Sequence, residues 1–277
     1  MHTTTEERWR WLLAGIGAFI TSLYLFPVYW MYISSVKPSS ELNASPPTLV
    51  PHQFTLDAYE WIFQRENIAR FLMNSFFISA SVTVLTLVLA TGAAYALARV
   101  RSLWADIVLI GVMLSQVLSP ALLVTPMFVI FRQMDLVNTY AAVILATVTK
   151  TLPFAVIMLR TAFAQIPVEL EEAARVDGCS RLKALVLVVL PLVRTGLLVV
   201  GTLTFLLAYG EFVYPVSLLN KNELQPATVG LYSFVGADYS DWTNAMAFAS
   251  VFVTPVIVIF VFLQRRIVSG LTAGAIR

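Results

Sequence analysis

Residues 164–193 read AQIPVELEEAARVDGCSRLKALVLVVLPLV. Helix signals are dense in this stretch. Pro167 suits a first helical position, where the missing N–H has no intrahelical partner to lose. Glu169, Glu171 and Glu172 fall in the first turns and complement the positive end of the helix dipole. Gly178 suits the left-handed conformation that ends a helix. The pattern predicts a short helix over 168–177, a tight turn, and a second helix capped by Ser180, starting near Arg181 and running toward Pro191. Ala173 and Ala174 leave one side of the first helix low, so that another protein's surface can approach its backbone. Glu172 and Arg175, at i, i+3, pair with each other or bond outward. Two readings stand: a docking knob, or a solvated connector whose glutamates keep it soluble.

On both sides this polar element gives way to apolar chain. Of the 277 residues 58% are hydrophobic and only 12% charged, about half the charged share of a soluble domain. A bilayer core takes about 20 apolar residues per helix, and six runs meet that length: 12–34, 71–98, 107–131, 137–160, 187–210 and 243–264. Lys150 interrupts the fourth and Arg194 the fifth. The reading is an all-α integral membrane protein with about six transmembrane helices, one transmembrane domain over 1–277, and a helix–turn–helix loop over 165–191 between spans four and five.

Composition also excludes functions. A net charge of +2 with no dense basic run disfavours a nucleic-acid partner. Cys179 is the only cysteine, so no internal disulfide forms, and neither a CxxC pair nor a His/Cys cluster offers a metal site. His2 and His52 read as solvated. No phosphate-cradling GxxxxGK[ST] loop and no GxSxG elbow occurs. The chain is expected to be no enzyme and to bind no cofactor itself, and any ATP chemistry must come from a partner.

Arg8 and Arg10 ahead of the first span resemble the start of a signal peptide, but the apolar run exceeds the roughly 7–15 residues of such a segment. No A-x-A site follows, so the span is expected to be retained. An even span count puts both termini on one side. Arg8, Arg10, Arg99, Arg101, Arg160, Arg175, Arg181, Lys183, Arg265, Arg266 and Arg277 fall there, against Lys37, Arg65, Arg70, Arg132 and Lys221 opposite. The positive-inside rule then predicts cytoplasmic termini and a cytoplasmic 165–191 loop. Outside lie residues 35–70, where Pro38, Pro46, Pro47 and Pro51 argue against regular structure in the first half, and where 57–63 reads as a short helix presenting Tyr59, Trp61 and Phe63. A second, long outer loop over 212–241 carries Tyr214, Tyr232, Phe234 and Tyr239.

Lys150 is the sharpest feature within the spans, because an ammonium at the bilayer centre costs about 2.5–3.5 kcal/mol on insertion scales and turns to protein or water. Thr147, Thr149 and Thr151 flank it, and Pro153 loosens the backbone ladder beyond. It lines a transport path, or it snorkels or pairs structurally. Tyr209, Glu211 and Tyr214, at the outer end of span five, offer aromatic faces and a carboxylate suited to a polyol, or an interfacial belt. Gln116, with Ser115 and Ser119 on a span interrupted by Pro120 and Pro126, is a further polar strip that serves the path or helix packing.

Glu172-Ala173-Ala174, three residues, Gly178, then nine residues, Val188 and Leu190-Pro191 resemble the EAA loop of permeases of binding-protein-dependent ABC importers, EAA-x3-G-x9-I-x-LP, with Val188 in place of isoleucine. Ser34-Ser35-Val36-Lys37-Pro38, Asn74-Ser75, Ala94-Tyr95-Ala96-Leu97-Ala98-Arg99 and the QRRIVSGLT of 264–272 carry the resemblance along the chain, toward the carbohydrate, maltose-permease-like branch. The resemblance implies a six-helix core in a bacterial plasma (inner) membrane, paired with a homologous second permease. It further implies two ATP-binding cassette subunits, an extracytoplasmic sugar-binding protein, and translocation of a sugar by alternating access. It puts Glu172, Ala173 and Gly178 in the ATPase cleft, assigns Ala174, Asp177, Leu190 and Pro191 with them to ATPase coupling, and lets the tail over 270–277 reach the same subunits.

The resemblance has two gaps. Tyr209-Gly210-Glu211 stands where relatives often carry Trp-Asn-Asp or Trp-Asn-Glu, and Thr195 where many place a second proline. Lys150, Tyr209, Glu211 and Gln116 remain as candidates for the substrate path, with the sugar unnamed. An ion- or proton-coupled carrier working through Lys150 and Arg194 is the alternative; such carriers commonly show internal repeats, and none is evident between the halves. A non-transporting scaffold leaves the EAA spacing unexplained.

Overall fold

The computed structural model describes residues 3–65, 67–100, 102–235 and 242–272, and every regular element among them is helical. His2, Arg101, Tyr239 and the tail beyond 272 lie outside the described residues. In chain order the helices are α1 (Thr3–Ser35), α2 (Ser39–Leu42), α3 (Asp57–Arg65), α4 (Ile68–Arg99), α5 (Leu103–Ser115), α6 (Pro120–Gln133), α7 (Tyr140–Ala164) and α8 (Glu169–Val176). There follow α9 (Arg181–Ala184), a π-helical turn (Leu185–Val189), α10 (Leu190–Leu192), α11 (Arg194–Tyr209), α12 (Val213–Leu218), α13 (Ala227–Tyr232) and α14 (Trp242–Thr272). The chain forms two compact units, one of residues 1–68 with 231–255, the other of 69–230 with 256–277.

In the first unit α1 leaves its most apolar stretch wholly uncovered, a state that only apolar surroundings accommodate. The prolines beyond it keep 43–56 out of regular structure, yet side chains pin the loop. Lys37 is buried; its ammonium donates to the Thr48 carbonyl and, at 3.0 Å, to Thr48 Oγ1, and lies 4.9 Å from the centre of the Trp30 ring. Glu41 accepts from Thr48 Oγ1 at 2.6 Å and from the amides of His52 and Gln53 at 3.0 and 3.3 Å. These donors, the Thr48 hydroxyl foremost, hold its carboxyl below the usual glutamate range. In α3 the expected display of aromatics is corrected. Tyr59 shares a 2.7 Å hydrogen bond with Ser35 and Trp61 packs edge-on against Phe234, leaving Phe63 alone exposed.

The second unit is organised on α7. Ala142, Val143 and Ala146, then Ala155, Val156, Leu159 and Phe163, recur at helical spacing and are all buried. The upper group packs with Ile78 and Val82 of α4, Phe131 of α6, and Tyr214 and Leu218 of α12. The lower packs with Ala90 and Ala94 of α4 and with Leu185, Val189 and Val193. The alanines let these helices approach closely, as membrane helix contacts require.

Among the described residues four helices are long and apolar enough to cross a membrane, and up to six spans result if each of two bent pairs counts as one. The third and fifth runs, read over 107–131 and 187–210, each correspond to a bent pair, and the interruption expected at Pro120 is where the third one breaks. α5 and α6 meet at 99°, because Pro120 forces Ser119 into extended backbone, φ −68° and ψ 139°. The segments Arg181–Leu192 and Arg194–Tyr209 meet at 79°. Ahead of that elbow Pro191 has no N–H for the carbonyl four residues back, and the widened π turn just before it accommodates the missing bond.

Candidate functional site

The 165–191 loop is a helix, a tight turn and a second helix. The N–H of Gly178 donates to the Arg175 carbonyl at 3.1 Å and that of Cys179 to the Ala174 carbonyl at 2.9 Å, the paired closure of a Schellman motif. Gly178 has φ +89°, which that motif demands and which an L side chain resists. Ser180 then opens α9 by accepting from the Lys183 amide at 3.3 Å.

The two faces of α8 differ sharply. Glu172, Ala173, Arg175 and Val176 are exposed, with Asp177 and Gly178 beyond them, while Glu171 and Ala174 are buried. Ala174 therefore packs inward, and of the two alanines only Ala173 lies on the outer face. Leu190 and Pro191 open α10, ahead of the elbow that leads into α11, and Leu190 packs against the lower core. Val176 and Leu182 are 86% and 70% exposed, and Val168, Leu170, Val186 and Leu187 of the same loop are exposed as well.

The inward residue Glu171 is the better connected. Its Oε1 accepts from Arg99 Nε and its Oε2 from the Tyr95 hydroxyl, both at 2.7 Å. Arg99 also donates to the carbonyls of Phe163 and Ile166, each at 3.1 Å.

A second polar centre lies within the spans. Lys150 is ten residues into α7, about 15 Å along its axis. Its ammonium meets Glu211 Oε2 at 2.6 Å. The other Glu211 oxygen accepts from the amides of Val213 and Tyr214 at 2.9 and 3.4 Å, and its backbone carbonyl accepts from Thr228. Glu211 thus neutralises Lys150 and also organises the break between α11 and α12. The Lys150 side chain is 35% exposed and that of Glu211 3%.

The other candidates do not join this centre in an open site. Tyr209 and Tyr214 are buried, Tyr209 stacked on Phe205 at 5.7 Å, so neither offers a free face to a polyol. Thr147 and Thr151 are buried too; Thr151 bonds to Thr86 of α4 at 2.8 Å, and only Thr149 is exposed among the three. Gln116 is exposed at the α5–α6 bend.

Residues 87–272 match the family described as "Binding-protein-dependent transport system inner membrane component". The chain belongs to this family. Among its relatives, the sulfoquinovosyl glycerol transport system permease protein of Agrobacterium fabrum is 36% identical, over 91% of this chain and 89% of its own. The diacetylchitobiose uptake system permease protein of Streptomyces coelicolor is 32% identical over 91% and 92%. The trehalose transport system permease protein of Mycobacterium tuberculosis is 34% identical over 95% and 96%. In fold, this permease is similar to a chain of a bacterial ABC transporter involved in the import of the acidic polysaccharide alginate. That superposition has a TM-score of 0.79 at 19% identity and covers 96% of this permease and 98% of that chain.

Sequence reasoning assigned Glu171 to the helix dipole, and Arg99 to the charge count and to a run that carries the family resemblance, without joining the two. A signal was present: Tyr95 and Arg99 are i, i+4 at the end of an apolar run, so they share a helix face that needs an acid once buried.

Proposed function

We propose that this permease carries a sugar or sugar-like solute, delivered by an external binding protein, across the membrane by alternating access. A homologous second permease and two ATPase subunits complete the assembly. The outward face of α8, with Glu172 and Ala173 flanked by exposed Val176, carries the proposal: it is the surface that the ATPase pair grips. This chain then hydrolyses nothing and holds no cofactor; ATP and magnesium sit on the partners. The named sugars of the relatives support the solute class. Lys150 borders the path, with the charge it brings into the membrane neutralised by Glu211. That neutralisation counts against a carrier whose ion coupling runs through Lys150.

The proposal needs both termini and the 165–191 loop in the cytoplasm, as the distribution of Arg and Lys favours. Cys179, the only cysteine, is partly accessible in that loop and reports its side directly. A membrane-impermeant maleimide is expected to label urea-washed inside-out vesicles and to spare intact spheroplasts. Labelling of spheroplasts alone would invert the topology and remove the ATPase from reach.

A further inference from the structure

The inner face of α8 holds a joint that the outer face does not explain. Glu171 uses both carboxylate oxygens. Oε1 receives Nε and Nη2 of Arg99, at 2.7 and 2.5 Å, and Oε2 receives the Tyr95 hydroxyl at 2.7 Å. Arg99 extends the same fork to the Phe163 and Ile166 carbonyls at 3.1 Å, where α7 ends, and the Phe163 carbonyl also accepts from the Ile166 amide. The guanidinium lies 5.8 Å from the centre of the Tyr95 ring, which is itself edge-on to Phe163 at 5.8 Å. One arginine therefore ties the end of α4, the end of α7 and α8 into a single fixed geometry.

Stability alone does not account for this arrangement. Buried ion pairs replaced by apolar side chains of similar volume are commonly no less stable, and Ala90, Ala94, Leu159, Phe163, Leu185 and Val189 already pack together here. A planar fork held at four acceptor contacts adds orientation, which apolar packing supplies poorly. We propose that Tyr95, Arg99 and Glu171 are positioning residues that convert displacement of α8 into movement of α4 and α7. Glu172, one residue away, faces the partner, while Glu171 faces the spans. The proposal rests on the reading that α8 docks an ATPase, and it assigns the step after docking.

The test uses the whole complex, purified with its ATPases and reconstituted with its binding protein and solute. Uptake, ATP hydrolysis and subunit content are measured together. Glu171→Gln and Arg99→Lys are expected to keep the wild-type content of ATPase and to lower solute moved per ATP by about tenfold, within the range that coupling mutations reach. The paired replacement Arg99→Met with Glu171→Met restores an apolar, foldable joint without the fork. It is expected to assemble normally and to stay uncoupled. Wild-type transport per ATP in that double variant would overturn the proposal, as would loss of ATPase binding in Glu171→Gln, which would place Glu171 in docking. If the wild-type complex contains no ATPase, it is the docking reading that fails instead.

Discussion

Replacing Lys150 with methionine is expected to destabilise the permease by about 3 kcal/mol, read as a shift in unfolding by a denaturing detergent. The loss comes from what remains. Glu211, whose side chain is 3% exposed, keeps only two backbone amides for its charge, and an uncompensated buried carboxylate is costly. The reverse substitution is milder. Glu211→Gln leaves an ammonium whose side chain is 35% exposed and which still reaches water, so about 1 kcal/mol is expected. Combining the two is expected to cost clearly less than their sum, because the second change removes the charge that the first strands. Equal losses in both single variants, or strict additivity, would show that the pair is not the neutralising contact.

Gly178→Val is expected to cut the amount of ATPase recovered with the permease by roughly thirtyfold while leaving membrane insertion intact. Nothing lies within 4 Å of a Cβ built on Gly178, so the effect is conformational and not steric crowding. A β-branched residue at φ +89° costs about 1–2 kcal/mol, and leaving that geometry opens the two carbonyl closures at Arg175 and Ala174. In a helix of eight residues such a loss unravels the turn that carries Asp177 and Val176. About 2 kcal/mol in all corresponds to the stated factor. Gly178→Asn is the control, since asparagine enters the left-handed region readily; it is expected to keep most of the ATPase. If valine and asparagine behave alike, the backbone conformation is not what matters there.

Features written in local sequence were legible. Pro167, the early glutamates, Gly178 and Ser180 each act within a few residues, and together they define α8, the turn and α9 without tertiary context. What depends on distant partners was not. Arg99 and Glu171 are 72 positions apart, Lys150 and Glu211 61, and helical periodicity carries no information on which face of one span meets which face of another. Lys150 and Glu211 were each conspicuous alone; only the requirement that a membrane ammonium find a counter-charge would have joined them. The size of the bends was hidden for a different reason. Counting apolar residues measures length, whereas Pro120 and Pro191 act on direction; the interruption at Pro120 was legible, but the 99° and 79° turns were not. Tyr209 and Tyr214 looked available because aromatic residues near a span end are often interfacial, but Tyr209 is buried and stacked on Phe205 of its own helix and Tyr214 is buried in the upper core.

The claim on which the rest depends is that the 165–191 loop engages an ATPase. It is tested most directly by purifying the complex from native membranes through a tag on this permease, after cross-linking through the thiol of Cys179. The account predicts that ATP-binding subunits copurify and that one forms a covalent adduct at Cys179, lost in Gly178→Val. A membrane complex that never contains an ATPase, with solute uptake that survives ATP depletion and collapses with an uncoupler, would contradict it.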